Sequence, residues 1–296
     1  MPVWPRLRPG RLPPGLPGDP GWFGPDSLVW QVWRERLLLL GGPAAVLLQL
    51  AHPLIAAGVA AHSSFRADPL RRLRAVLDTT LTVTFGDQQQ ALAAAARVGR
   101  IHQRVRGRLP VASGSFPAGS VYRASDPELA LWVHATLVVV ALDVVDQFVS
   151  SLSAEQRADY YQQSKPFAVL FGVTEQVLPA RYPDFHAYVC RMLDGSQLAV
   201  DKPAQELAAA GLDGWLAGVP HPPPAVTKLL TAGLLPARLQ EGFGLAWGRR
   251  EQDRYAVLRG VIRAAAPSLP PTLRYWPHYL VALRRVATAP EPSDTA

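Results

Sequence analysis

Apolar residues recur at helical spacing along nearly the whole chain, and each recurrence is fenced by residues that start or stop helices. Asp26-Ser27 opens one such stretch to about Leu40, and shorter ones follow at 43–51 and 53–63. Asp68-Pro69 starts a helix running to Phe85 and closed by Gly86; Asp87 starts an alanine-rich one to about Arg106, closed by Gly107. Asp126-Pro127-Glu128 is a complete start signal, with a capping carboxylate, a proline suited to the first helical position and an acid at the positive end of the dipole. Ser153 with Gln156 forms a capping box for a helix to about Phe171, ended by Gly172. Further helices are predicted at 174–179, 183–194, 202–210, 223–232, 236–242, 249–265 and 272–286. No period-two strand set or hairpin signal stands beside them, and no internal repeat points to a solenoid. The expected fold is all-α, a single large multi-helix globular domain over 26–287 with a short tail at 288–296.

Residues 1–25 are too rich in proline and glycine for a helix or strand, so they are expected to form an extended arm or flexible lead-in outside the core. With 296 residues and 49% hydrophobic content the remainder can bury a large core. A lone cysteine, Cys190, excludes an intramolecular disulfide framework and a cysteine-based zinc cluster. The opening stretch lacks an apolar segment of the secretory kind, and the cytoplasm is the expected compartment. Residues 37–61 are apolar enough to span a bilayer, but Gly41-Gly42-Pro43 and His52-Pro53 cut them into pieces of core-helix length. The net charge of +7 comes mostly from scattered arginines. No zinc-finger spacing, RNA-recognition motif or recognition helix accompanies them, so no nucleic-acid partner is expected and the arginines read as a solvated basic face. A weak membrane-surface association through that face and the 37–61 segment is a further expectation.

Within the helix begun by Asp126, residues Leu131, His134, Leu137, Val138, Ala141, Val145 and Phe148 share one stripe, which turns His134 inward. A core-facing imidazole has to be hydrogen-bonded or bound to a metal, and the spacing alone leaves both readings open. Several familiar sites are excluded by the sequence. Glu-x-x-His pairs for a di-iron centre are missing, as are His-x-x-x-His, His-Glu-x-x-His, a Gly-x-Ser-x-Gly elbow and a glycine-rich loop before a helix. What remains is a set of polar residues on apolar helices: His52, Arg72, Thr79, Thr80, His102 and His134. A haem would draw several of them together, since a porphyrin needs an apolar slot, one axial imidazole and basic groups for its propionates.

From about Trp30 onward the chain resembles the oxygenase family that includes fungal MpaB and the latex-clearing rubber oxygenases. The resemblance is carried by Gln49-Leu50-Ala51-His52-Pro53, by Asp68-Pro69 through Arg72-Leu73 to Phe85-Gly86-Asp87, and by Ile101-His102 to Gly107. It continues in Tyr122-Arg123-Ala124-Ser125-Asp126-Pro127-Glu128 through Trp132-Val133-His134-Ala135-Thr136, and in Leu235-Pro236-Ala237-Arg238 with Gly244-Leu245. Such a family implies an all-helical fold and, in its rubber-cleaving members, haem b on one axial histidine with dioxygen cleaving isoprenoid double bonds. The axial His-Ala motif maps to His134-Ala135. The resemblance further implies that Arg72, Arg74, Arg104 or Arg123 meet the propionates, with His102 counted among the cofactor-binding residues. His52, Arg72 and Thr79 are the catalytic candidates facing dioxygen. Rubber oxygenases carry an arginine followed one turn later by Lys-Thr on the distal side; this chain has Arg72, then Ala75 and Val76, which leaves Arg72, Arg74 and Thr79 as substitutes. The expected function is therefore a haem b-dependent oxygenase acting on a hydrophobic alkene or isoprenoid-type substrate with dioxygen. The alternatives are a non-catalytic haem- or lipid-binding protein and a peripheral membrane protein.

Overall fold

The structure, a computed structural model, describes residues 12–62, 69–214 and 223–288, without the side chains of 69–73, 211, 213 and 214. Fourteen α-helices fill most of them: α1 Leu28–Trp33, α2 Gly42–Leu50, α3 Pro53–His62, α4 Pro69–Phe85, α5 Gln88–His102, α6 Pro127–Phe148, α7 Ala154–Leu170. They continue as α8 Tyr182–Asp194, α9 Lys202–Gly214, α10 Pro224–Gly233, α11 Ala237–Gly242, α12 Arg249–Ala265, α13 Pro271–Arg274 and α14 Pro277–Ala287. The all-α reading holds.

The axle of the fold is α6. Its apolar residues run round most of its circumference, which is the signature of a helix enclosed by others. On one face α2 is fixed by Trp132 Nε1 donating to the Leu48 carbonyl at 3.1 Å and Gln49 Nε2 donating to Thr136 Oγ1 at 3.0 Å. On another, a 3-10 segment Arg36–Gly41 comes so close that a Cβ on Gly41 would lie 2.4 Å from Val140 and 2.6 Å from Val144. By length and composition α6 could cross a bilayer, yet in this fold most of it is enclosed by other helices. The apolar run 37–61 bends by 104° between Arg36–Leu50 and α3, at Ala51-His52-Pro53. The Gly41-Gly42-Pro43 break is milder and marks only the change from 3-10 to α.

Four local expectations fail, the first three because a contact distant in sequence outweighs the local pattern. The helix expected from Asp26 to Leu40 stops at Trp33, since Glu35 turns extended, bridges to Tyr275 and receives Arg274 in a bidentate pair at 2.8 to 3.1 Å. The same contact splits the helix expected at 272–286 into α13 and α14. The alanine-rich helix ends at His102 rather than Arg106, because Arg106–Arg108 pairs as a strand, β1, with β2, Val121–Arg123, inside what reads as a loop. Residues 174–179 form turns closed by Val177 N and Leu178 N on the Thr174 carbonyl, without a helix.

The described part of the N-terminal arm has no helix or strand, as its composition requires, but it lies against the body and contributes to the core. Leu12 is only 4% exposed and packs with Trp30, Leu81, Phe85 and Trp276. Leu16 N donates to Asp87 Oδ2 at 2.8 Å, Gly18 N to the Arg285 carbonyl at 2.9 Å, and Arg285 Nε to the Asp19 carbonyl at 2.8 Å. Gly21 sits at φ +74° with room for no side chain, as its Cβ would meet the Gly86 carbonyl at 2.2 Å. The arm is therefore pinned between the α4–α5 junction and α14.

Candidate functional site

The start signal of α6 works as its chemistry requires: Asp126 Oδ1 accepts from Glu128 N at 2.9 Å, and Pro127 occupies the first turn. Two turns on, His134 is 4% exposed and faces α1 and α7. Burial lowers its pKa from 6.5 to about 4, so the imidazole is neutral at physiological pH. Its ring lies 6.1 Å from that of Phe167 at 27°. Ser164 Oγ stands 3.5 Å from Nε2 and donates its own proton to the Tyr161 carbonyl at 2.8 Å, so it can accept from an Nε2–H. Nδ1 is buried and has no hydrogen-bond partner among the described residues. One nitrogen is thus oriented by a neighbour and the other holds a free lone pair, an arrangement of the kind a metal ligand uses.

The rest of the lining is apolar or internally satisfied. Val29, Leu137 and Val138 close the cavity beside His134, and Trp33 Nε1 donates to Tyr160 Oη at 3.0 Å across its rim. Tyr160 is buried, and desolvation pushes its phenol far above the ordinary range, so it stays protonated. The cavity measures about 10 Å³, room for one water. Its cover is α7, a helix with Pro166 in its interior, one residue before Phe167. A proline donates nothing to the carbonyl one turn back, so α7 is weakest where it lies over His134.

Among the described residues, the other positions singled out in the sequence are not gathered round this histidine. His52, buried at the α2–α3 bend, packs on Phe116 at 5.1 Å; burial lowers its pKa to about 4, partly opposed by a backbone hydrogen bond and by Asp126. Thr79 and Thr80 are buried on α4, and Arg74 is half-buried, its Nε without a hydrogen-bond partner among the described residues. The Arg72 side chain lies outside the described residues. Ala75 and Val76 are exposed, so the inward side of α4 belongs instead to Thr79, Thr80, Val83 and Thr84. The two positions that stand one turn after Arg72, where the rubber oxygenases carry Lys-Thr, thus do not face the core. His102 is half-buried at the end of α5, and Arg104 and Arg123 are exposed; none of the three lines the cavity at His134. Sequence reasoning missed Trp33, Tyr160, Ser164 and Phe167. Positions 160, 164 and 167 share one stripe of α7, and the facing stripe of α6 carries His134, so the signal was in the pairing of two helices.

The family described as ER-bound oxygenase mpaB/B'/rubber oxygenase, catalytic domain, matches residues 30–264, from α1 through nearly the whole of α12. The uncharacterized protein Mb2261 of Mycobacterium bovis is 28% identical over 238 residues, covering 77% of this chain and 89% of that protein. The uncharacterized protein Rv2237 of Mycobacterium tuberculosis matches to the same extent. No solved structure matches significantly. The family match spans well over half of the chain and includes both α6 and α7, and the protein thus belongs to the mpaB/rubber oxygenase catalytic-domain family.

Proposed function

We propose that the protein is a haem b-dependent oxygenase that acts on a hydrophobic alkene or isoprenoid-type substrate with dioxygen, and that His134 would hold the haem iron. The observation that carries this reading is the buried, neutral His134 with an unpartnered nitrogen on the central helix of an oxygenase family domain. The donor chemistry fits a haem iron, and the volume does not. A cavity of about 10 Å³ lies far below the several hundred Å³ that a ligand of porphyrin size requires, so loading needs α7 to move off α6. When bound, haem supplies the redox chemistry, and the chain supplies the pocket. Ser164 orients the imidazole, burial keeps it unprotonated and able to bind metal, and Val29, Leu137, Val138 and Phe167 offer an apolar wall that excludes water. His52 and Thr79 are assigned to the substrate and dioxygen side, and Arg74 to a propionate; all three are buried or half-buried in elements that pack about the same core.

Purified protein titrated with haem should develop a Soret band at one equivalent. In His134→Ala the band should be lost or displaced, and imidazole added to that variant should restore it. A wild-type chain that takes up no haem, or a His134→Ala spectrum identical to wild type, overturns the assignment. Oxygen uptake with a candidate alkene then distinguishes turnover from mere binding.

A further inference from the structure

Between Asp87 and Asp126 the chain contains six arginines and not one acidic residue, so almost the whole excess of positive charge is gathered in 38 residues. The fold brings these arginines to the surface. Arg97 and Arg100, one turn apart, are exposed on α5, and Arg104 is exposed just past its end. The β1–β2 hairpin follows, with Arg106 opposite Arg123 and Arg108 opposite Val121. Alternation turns Gly107 and Tyr122 inward, where Tyr122 packs on Leu54, Leu109 and Leu129. It turns Arg106, Arg108, Val121 and Arg123 outward on one face.

Like charges directly opposite each other destabilise a strand pair, so Arg106 facing Arg123 is a local cost. Among the described residues no carboxylate relieves it: the ion pairs formed by arginines involve other positions, and Arg108 is spent on the Gly119 carbonyl at 3.0 Å. Interleaved with this charge are aliphatic side chains left in solvent, Ile101 at 56%, Val111 at 62% and Val121 at 49%. Aromatic rings, the stacking platform of single-stranded nucleic-acid surfaces, do not accompany them: Tyr122 is buried and Phe116 lies half-buried on His52.

We propose that this face, formed by the end of α5, the hairpin and the loop at Val111, docks the protein on an anionic lipid membrane. The arginines meet lipid headgroups, which relieve the repulsion between Arg106 and Arg123, and Ile101, Val111 and Val121 enter the headgroup boundary. The hairpin runs straight into the cap of α6, where Asp126 N donates to the Arg123 carbonyl at 3.0 Å. His134 follows about 12 Å further along the helix axis, at 1.5 Å per residue. A docked face at this end of α6 places the central helix end-on to the phase in which apolar molecules dissolve. The surface and its test are independent of whether haem binds.

The test is co-sedimentation of the full chain with vesicles of phosphatidylcholine alone and of phosphatidylcholine with about one-third phosphatidylserine. Binding is expected only to the latter and should fade as salt shortens the Debye length. Arg106→Gln with Arg123→Gln should weaken partition roughly 25-fold, from about fivefold for each arginine near an anionic surface. Because the two changes remove a repulsion, the melting temperature of that variant should be unchanged or raised. The control is Arg250→Gln with Arg254→Gln, an equal loss of charge on exposed positions of α12, which packs near the far end of α6; it should bind as wild type does. Failure of wild type to bind the anionic vesicles overturns the proposal. Equal weakening in the control does so too, since net charge and not this face would then govern binding. Binding to a duplex or single-stranded DNA oligonucleotide in place of vesicles assigns the face to nucleic acid and likewise overturns it.

Discussion

Lowering the pH from about 7.5 to about 5 should destabilise the protein through three imidazoles at once. His52, His134 and His278 are all buried, each has an Nδ1 without a partner among the described residues, and burial lowers each pKa from 6.5 to about 4. A folded pKa below the unfolded one means that the unfolded chain binds more protons, so this stability is complete above pH 6.5 and drains away as the pH falls toward 4. At about pH 5 each histidine should cost roughly 2 kcal/mol relative to pH 7.5, and the three together roughly 6 kcal/mol. Asp143 acts the other way. Desolvation raises its pKa to about 6, partly opposed by Arg157, so acidification relieves a penalty there of about 1 kcal/mol. The net loss of about 5 kcal/mol is comparable to the whole stability of many domains. Urea unfolding at both pH values measures it, and His134→Phe should remove about a third of the histidine contribution. A stability that is flat between the two pH values, or an unchanged slope in His134→Phe, would refute the account of a neutral, unprotected imidazole at this place. Haem bound to His134 should also remove that histidine from the slope, because the coordinated nitrogen no longer takes a proton.

Two further outcomes follow from packing. Arg274→Met leaves Glu35, 2% exposed, without its bidentate partner and should cost about 3–5 kcal/mol in urea unfolding, while Glu35→Leu combined with Arg274→Met should recover most of it. Gly41→Ala should cost about 1–3 kcal/mol, because the added methyl meets Val140 and Val144 on α6; a neutral result would show that the 3-10 segment can shift away from that helix.

How much of this was legible in the sequence depends on how local the cause was. Asp126, Asp87 and Ser153 cap α6, α5 and α7 as their spacing predicts, because a cap is decided within four residues. The inward turn of His134 was equally local, a matter of its stripe on α6. Glu35 was not: its neighbours read as helix, and only Arg274, brought in from the far end of the chain, explains why the backbone extends there. The hairpin was hidden for a related reason. Arg106–Arg108 has no alternating apolar pattern, and its single inward side chain is glycine, so Tyr122 alone anchors the pair. The partners of His134 depended on which face of α7 meets α6, a packing choice that neither helix states by itself. Ala75 and Val76 were placed by likeness, and the rotation of α4 sets them outside.

The clasp between residues 15–19 and α14 constrains the order in which this protein is made. Residues 15–19 are held by Arg285 and Asp87, and Arg285 also donates to the Phe85 carbonyl at 2.8 Å. Arg285 lies in α14, so a chain emerging from the ribosome has no clasp until that helix, some two hundred residues after Phe85, has left the exit tunnel. Until then the core cluster of Trp30, Phe85 and Leu12 lacks Trp276 and Ala282 as its lid. At 5–20 residues per second, the 200 residues from Phe85 to Arg285 take roughly ten to forty seconds to make. A chain truncated before α14 should expose that cluster and recruit the chaperones that bind such surfaces.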